Sequence, residues 1–391
     1  MGDYSDSQQY LMHTYNRMPM HFTDGKGAYL TGSDGKRYLD FLSGIAVTIL
    51  GHQHPAAVKA LTKAAHGVWH TSNLFEIPAQ ISLGEKIAKH GLGGKTFFCN
   101  SGTEANEAAL KLAVKRGKGI SPEKTGVIAM INSFHGRTIG SLNLTGQEKY
   151  RKDYPALSNI SYVPYNDMAA LTAQMNEHTA AVFIEVVQGE AGVYPVSEEY
   201  YRLVRSLTKK FNALMIIDEV QTGMGRTGTL FGYERFPEKP DVFTLAKGLA
   251  NGFPIGAMHA ASAFSDVFTP GSHASTFGGN PLAVSVGNAV FDIVADEKFL
   301  ARVRAAGETL RGEFAQRAKK YHFIKEIRGQ GLMIGVELSI SADAVKMKCF
   351  GEGLIVNAIA DRTLRLIPPL IIGEREIAHA LAVIDGIFKQ Y

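Results

Sequence analysis

Cysteine is nearly absent. The 391 residues contain two, Cys99 and Cys349, which excludes a disulfide scaffold and a cysteine-rich zinc module. Cys99 ends the apolar run Thr96-Phe97-Phe98-Cys99 and reads as a buried free thiol. Proline is scarce at 14 residues while glycine reaches 41, which favours tight turns and close backbone approaches over stiff linkers. Long runs of one charge are missing. With 41 basic and 37 acidic residues the net charge is +4, so no nucleic-acid partner is expected, and a small anionic ligand suits the balance. The longest apolar stretch, around Ile45 to Leu50, is far too short to span a membrane, and MGDYSDSQQY lacks the apolar core of a signal peptide. A cytoplasmic chain with no membrane partner is the expectation. Hydrophobic residues at 45% and charged residues at 20% exclude wholesale disorder, and the length suggests two to three domains.

Along the chain, Tyr29-Leu30 and Arg37 to Phe41 flank the turn Ser33-Asp34-Gly35, a hairpin signal. Between residues 60 and 280, short apolar runs (Thr96–Cys99, Val127–Ile131, Ala181–Val187, Leu214–Ile217, Val242–Ala246) alternate with helical or loop segments. Such continuous runs suit strands buried on both faces, hence a parallel sheet with helical crossovers. Beyond residue 290, amphipathic stretches at Phe291 to Tyr321 and Glu374 to Tyr391 bracket short strands at Gly331–Leu338, Leu354–Val356 and Thr363–Leu366. The expected class is α/β. An N-terminal arm and part of a small domain would span 1–60, a large domain with a mostly parallel sheet 61–285, and a smaller α+β domain 286–391.

Two motifs mislead. Gly223-Met-Gly225-Arg-Thr-Gly228 matches a dinucleotide glycine pattern, but Asp218-Glu219-Val220-Gln221 separates it from its strand, and Asp241 precedes the next strand instead of ending it. His66 and His70 have the spacing of a zinc helix, but Gly67 stands where a glutamate base is required. No metal site is expected. His52 and His54 read as turn or cap residues.

The chemistry concentrates in four segments at or just after predicted strand ends, where open α/β sheets bind ligands. Asn100-Ser101-Gly102-Thr103 leads into a helix with Ala105, Ala108, Ala109 and Leu112 on one face, and could serve as a phosphate cup or as a plain helix cap. Phe134-His135-Gly136-Arg137 offers a stacking ring and a carboxylate grip. Asp218 ends an apolar strand and needs a partner, for which a protonated ring nitrogen would serve. Lys247 ends another, where loss of water lowers an amine's pKa and permits Schiff-base formation. A phosphate cup, a stacking ring, an acid for a ring nitrogen and an imine-forming lysine together are what pyridoxal phosphate requires.

With these residues the sequence resembles the class III, or ω-, aminotransferases over about Tyr15 to Leu370. The resemblance is carried by SGIAVTILGHQHP (43–55), HTSN (70–73), FFCNSGTEANEAALKLA (97–113), FHGRT (134–138), IEVVQGEAGV (184–193), IIDEVQTGMGRTG (216–228), TLAKGLANGFPIGA (244–257), HASTFGGNPLA (273–283) and LRLIPPL (364–370). It implies the fold type I of pyridoxal-phosphate transferases, as a homodimer with shared active sites. By that resemblance Lys247 would hold the cofactor aldehyde and Asp218 its ring nitrogen. Phe134 and Val220 would cover the ring faces, and Gln221 would lie near the ring oxygen. Ser101, Gly102 and Thr103 would form the phosphate site, and His135 would also contact the cofactor. Thr276 would reach the phosphate of the neighbouring subunit, and Ser275 would lie near substrate.

The implied reaction moves the δ-amino group of N2-acetyl-L-ornithine to 2-oxoglutarate. Ornithine, succinylornithine, N-succinyl-diaminopimelate and 4-aminobutyrate remain alternative donors. Outside the class, a nicotinamide oxidoreductase or a non-catalytic cofactor-binding regulator is weighed, and the three groups Arg137, Glu190 and Arg365 speak against the regulator. Arg137 would hold the donor carboxylate, and Arg365 the α-carboxylate of the acceptor. Glu190 would mask Arg365 while donor is bound, and Tyr15 would contact a carboxylate. Ile45 stands where ornithine-specific relatives tend to carry a tyrosine, which favours an acylated donor. Val186 replaces a usual proline, with a small backbone effect expected.

Overall fold

The computed structural model describes residues 7–391. Its centre is a seven-stranded sheet in the spatial order Lys95–Cys99, Gly256–Ala260, Val242–Leu245, Leu214–Asp218, Thr179–Glu185, Gly126–Met130, Ile160–Val163. The five strands from Val242–Leu245 to Ile160–Val163 run parallel to one another, and Gly256–Ala260 is antiparallel to both of its neighbours. Every residue of Thr179–Glu185, Leu214–Asp218 and Val242–Leu245 is buried. Helices cover both faces, so these strands need no polar alternation, which is why their sequences read as unbroken apolar runs. The Gly256–Ala260 and Ile160–Val163 strands were not expected from the sequence. The first is Gly-Ala-rich, and the second holds only partly buried residues before Val163.

Gly102–Lys118 is the helix after the first strand. Ser101 caps it, accepting from the Glu104 amide at 3.3 Å, and the expected face of Ala105, Ala108, Ala109 and Leu112 is buried. The stretch expected as one helix from Phe291 is two, Pro281–Val294 and Glu297–Lys320. Asp296 starts the second by accepting from the Lys298 amide at 2.7 Å, and a side chain that captures a backbone donor competes with helix continuation.

The Tyr29–Gly32 and Arg37–Asp40 strands form the expected hairpin. Arg37–Asp40 then pairs in parallel with Leu354–Ile355, which ties the N-terminal strands to the C-terminal segment. A second antiparallel sheet has the order Ile324–Gln330, Met333–Leu338, Thr363–Leu366, Asn357–Ile359. Cys99 and Cys349 are buried and unpaired, and burial pushes both thiols up to about 12. Among the described residues no helix is long and apolar enough to cross a membrane.

Candidate active site

The parallel strands end at one edge, and a cavity of about 400 Å³ opens there. Ser101, Gly102, Thr103, Phe134, His135, Arg137, Glu190, Asp218, Val220, Gln221 and Lys247 line it. Segments far apart in sequence meet because all but that of Glu190 end or follow a strand of the same sheet.

Asp218 is the most firmly built member. It is 4% exposed. Oδ2 accepts from Asn106 Nδ2 at 2.8 Å and pairs with His135 Nδ1 at 2.7 Å. Oδ1 accepts from the Val220 amide at 2.9 Å and from Thr244 Oγ1 at 3.4 Å. These donors offset the cost of removing a carboxylate from water. Glu185 stands beside it in register on the adjacent parallel strand. Among the described residues its carboxyl receives only the Phe134 amide, at 3.2 Å. Burial, and then the neighbouring Asp218 charge, push its carboxyl well above the usual carboxylate range. Of the two neighbouring carboxyls, that of Asp218 has four hydrogen-bond partners and that of Glu185 one, among the described residues.

Lys247 follows the Val242–Leu245 strand at φ 35°, a left-handed backbone that costs energy in a non-glycine residue and marks a constrained position. Its amine makes no hydrogen bond or ion pair among the described residues. Burial lowers its pKa, and Arg365 adds to that, against the opposing charges of Glu190, Asp218 and Glu185. The amine is therefore freer to act as nucleophile or base than an exposed lysine.

The cavity also has an anion end and a flat slot. The Ser101 carbonyl and hydroxyl take the Ala105 and Glu104 amides, so the Gly102 and Thr103 amides of the first turn remain outside the helical ladder. The Thr103 hydroxyl, expected at the phosphate site, also accepts from the Arg137 and Thr138 amides at 3.1 and 3.2 Å. It holds the turn that carries Arg137. A Cβ on Gly102 would lie 2.7 Å from Val220 Cγ1, so glycine is required for Val220 to stand against the cup. Phe134 lines the same slot and meets Tyr150 edge-on at 6.1 Å. Arg137 is exposed, its guanidinium 3.9 Å from the Tyr150 ring centre.

Arg365 lies behind the cavity wall and is 1% exposed. Its Nη1 meets Glu190 Oε1 at 2.6 Å, the Gly189 carbonyl at 3.0 Å and Gln221 Oε1 at 3.4 Å, and its Nη2 meets Asn357 Oδ1 at 3.2 Å. Burial would push the Glu190 carboxyl up, but Arg365 and then Lys247 outweigh it and leave it below its usual range.

Three expected residues are not brought to this cavity within the chain. Tyr15 is 69% exposed beside Arg17. Thr276 is exposed. Ser275 Oγ accepts from Asn100 Nδ2 at 3.2 Å, outside the lining. Ile45 is 41% exposed and also outside it. Asn106, Glu185, Tyr150 and Asn357 were not singled out from the sequence. Only Asn106 carried a signal, as a polar residue among the alanines of a buried helix face. His52 pairs with Asp40 at 2.9 Å and His54 caps the Pro55–Ala65 helix, the turn and cap roles expected. The glycine decoy is a loop packed against Val294, Leu370 and Arg304.

The cavity's chemistry suits a flat, phosphorylated heterocyclic aldehyde: amides at one end, a slot between Phe134 and Val220, a buried carboxylate and an uncommitted amine. The model of the class III aminotransferases matches residues 10–388. An acetylornithine aminotransferase of Caldanaerobacter subterraneus is 46% identical over 386 residues, covering 98% of each chain. Among solved structures, the ornithine aminotransferase of Toxoplasma gondii superposes with a TM-score of 0.93 at 33% identity, covering 98% of this chain and 93% of its own. The N-acetylornithine aminotransferase of Stenotrophomonas maltophilia does so with a TM-score of 0.85 at 34% identity, covering 98% of each.

Proposed function

The chain belongs to the class III aminotransferases, with the fold type I of that family, and on that premise we propose that it moves the δ-amino group of N2-acetyl-L-ornithine to 2-oxoglutarate. The products are N-acetyl-L-glutamate 5-semialdehyde and L-glutamate, a step of arginine biosynthesis. The donor is favoured by the acetylornithine relative at 46% identity and by Ile45 in place of a tyrosine. The cofactor of this reading is pyridoxal 5'-phosphate. Bound in the cavity, it supplies an aldehyde that condenses with amines and a ring that accepts the electron pair of the carbanion.

The chain's residues divide the remaining work. The Gly102 and Thr103 amides hold the phosphate at the helix N-terminus. Phe134 and Val220 fix the ring plane, and Gln221 lies beside the ring. Asp218 would pair with the ring nitrogen, and its bonds to His135 and Asn106 hold it in place. Lys247 would hold the aldehyde, and its amine, when free, would serve as the base that takes up and returns the substrate's proton.

Arg137 takes the donor's carboxylate at the distance a terminal amine requires, and the distal carboxylate of the acceptor. Arg365 takes the acceptor's α-carboxylate after Glu190 swings aside. The observation that carries this reading is the 2.6 Å pair of Glu190 and Arg365, with Glu190 on the cavity wall and Arg365 behind it. A masked arginine lets one cavity accept a monocarboxylate donor and a dicarboxylate acceptor.

A homodimer is part of the proposal. Val68, Trp69, Leu74, Phe75 and Phe277 are each at least 61% exposed, and Asn73 Nδ2 ties their two segments through the Ser275 and Gly278 carbonyls, both at 3.0 Å. An apolar patch of this kind marks an interface, and Thr276 lies within it. The large and small domains divide at residues 60 and 285 in this reading, and the chain works in the cytoplasm.

The visible spectrum tests the function. The yellow band of the loaded protein should bleach with N2-acetylornithine and return with 2-oxoglutarate. Bleaching only with ornithine or another amine would replace the donor, and a protein that takes up no pyridoxal phosphate would overturn the reading.

A further inference from the structure

Glu190 sits at the tip of a small hairpin. Val187–Gln188 pairs with Tyr194–Pro195, and residues 189–193 form the turn. The Val193 amide closes it on the Gln188 carbonyl at 3.0 Å. Nothing in the hairpin's own short ladder fixes where Glu190 points.

The neighbouring antiparallel sheet does. Arg328 is paired with Gly335, Gly335 with Arg365, and Arg365 with Asn357. Directly opposed residues share a face, so these four residues form one row across the sheet, on the side where the hairpin lies. Arg365 Nη1 holds the Gly189 carbonyl at 3.0 Å. Arg328 Nε and Nη2 hold the Gly192 carbonyl at 3.2 and 3.0 Å. The two arginines thus grip the turn on either side of Glu190. Between them a Cβ on Gly335 would lie 2.9 Å from Val193 Cβ and 3.0 Å from the Gly192 carbonyl, so the turn rests where a side chain is missing.

Arg328 is itself fixed. It is 6% exposed, its Nη1 binds Glu326 at 2.5 Å and also Glu337, and its guanidinium lies 4.0 Å from the Tyr194 ring centre. Its Nη2 also reaches Thr363 Oγ1 at 3.3 Å, on the strand that carries Arg365.

We propose that Arg328 and Gly335 form a cradle that positions the Glu190 gate. They hold the turn's backbone still, so that Glu190 opens by rotating its side chain and returns to the same place over Arg365. Arg328 touches neither substrate nor cofactor and is a positioning residue. The proposal rests on the gate described above. A gate that must open and close in every cycle works only if its hinge is preorganised, since a displaced mask leaves Arg365 open to the donor's carboxylate in the wrong orientation.

The test uses the loaded enzyme with Arg328→Gln, Arg328→Lys and Gly335→Ala. Glutarate affinity is read from the spectral titration, and both half-reactions by stopped flow. With the mask displaced, Arg328→Gln and Gly335→Ala should each tighten glutarate about fivefold and raise the donor KM about tenfold, with kcat within about threefold and cofactor affinity unchanged. Arg328→Lys, which keeps a donor for the Gly192 carbonyl, should recover most of the shift. Gly335→Ala acts without removing a charge, so it decides the matter if Arg328→Gln does not fold. Native glutarate affinity in both variants, or parallel loss of both half-reactions with loss of cofactor, would overturn the cradle. The glutarate titration needs no amine. A shifted glutarate affinity in a protein that does not use N2-acetylornithine would leave the cradle standing and remove only the donor assignment.

Discussion

Lys247 and Asp218 show what a single residue obtains from its place at a strand end. Both follow apolar strands, so both lose water, and the two respond oppositely. Asp218 is compensated by His135, Asn106, Thr244 and the Val220 amide. Lys247 is left without a hydrogen-bond or ion-pair partner among the described residues, and burial lowers its pKa. An uncommitted buried amine of this kind is kept for its reactivity. Lys247→Ala should therefore remove the yellow band and lower turnover about 10⁴-fold, while the melting temperature holds or rises, because an unpaired amine leaves the interior. Absorbance, steady-state rates and calorimetry check the three parts, and a yellow, fully active variant would refute the role.

At the scale of elements, the loop after the Leu214–Asp218 strand is organised by Glu219, which points away from the chemistry. It is 1% exposed. Its carboxyl accepts from the Tyr233 amide at 2.7 Å and from Thr222 Oγ1 at 2.5 Å. Burial raises its pKa to about 7, although Thr222 and the Tyr233 and Gly232 amides pull the other way. In the fold this group keeps a proton up to about pH 7 that the unfolded chain releases near its ordinary 4.5. The native state binds more protons across that window, so Glu219 makes stability fall as pH rises from 4.5 to 7. Glu219→Gln keeps an acceptor for the amides and removes the titration. Its melting temperature should gain on the native protein as pH rises from 5 to 7.5, and a constant difference would show that Glu219 does not titrate there.

At the scale of the whole molecule, Thr276 lies with Phe277 on an exposed apolar patch outside its own chain's cavity. In a homodimer that patch would face a second copy, and Thr276 would serve the other subunit's phosphate. Sedimentation should give a dimer. Thr276→Ala should weaken cofactor binding about tenfold, the order expected for one lost hydrogen bond to a charged group, without dissociating it. A monomer with full activity would refute the shared site.

The sequence by itself determined the five central-sheet strands that read as unbroken apolar runs, because a strand buried on both faces must be apolar throughout, and that pattern is local. It also marked the residues that meet at the cavity: Asn100–Thr103, Phe134–Arg137, Asp218 and Lys247 stand at the ends of those runs, where burial requires a partner or a ligand. It also placed the Ser101 cap and the alanine face behind it. Tertiary structure alone decided the rest. The antiparallel Gly256–Ala260 strand and the turn-holding role of Thr103 depend on neighbours remote in sequence. So does the row of Arg328, Gly335, Arg365 and Asn357, whose members come from four strands. No spacing along the chain encodes a row across a sheet. Register between strands encodes it, and register is set by which faces are buried once the sheet has formed.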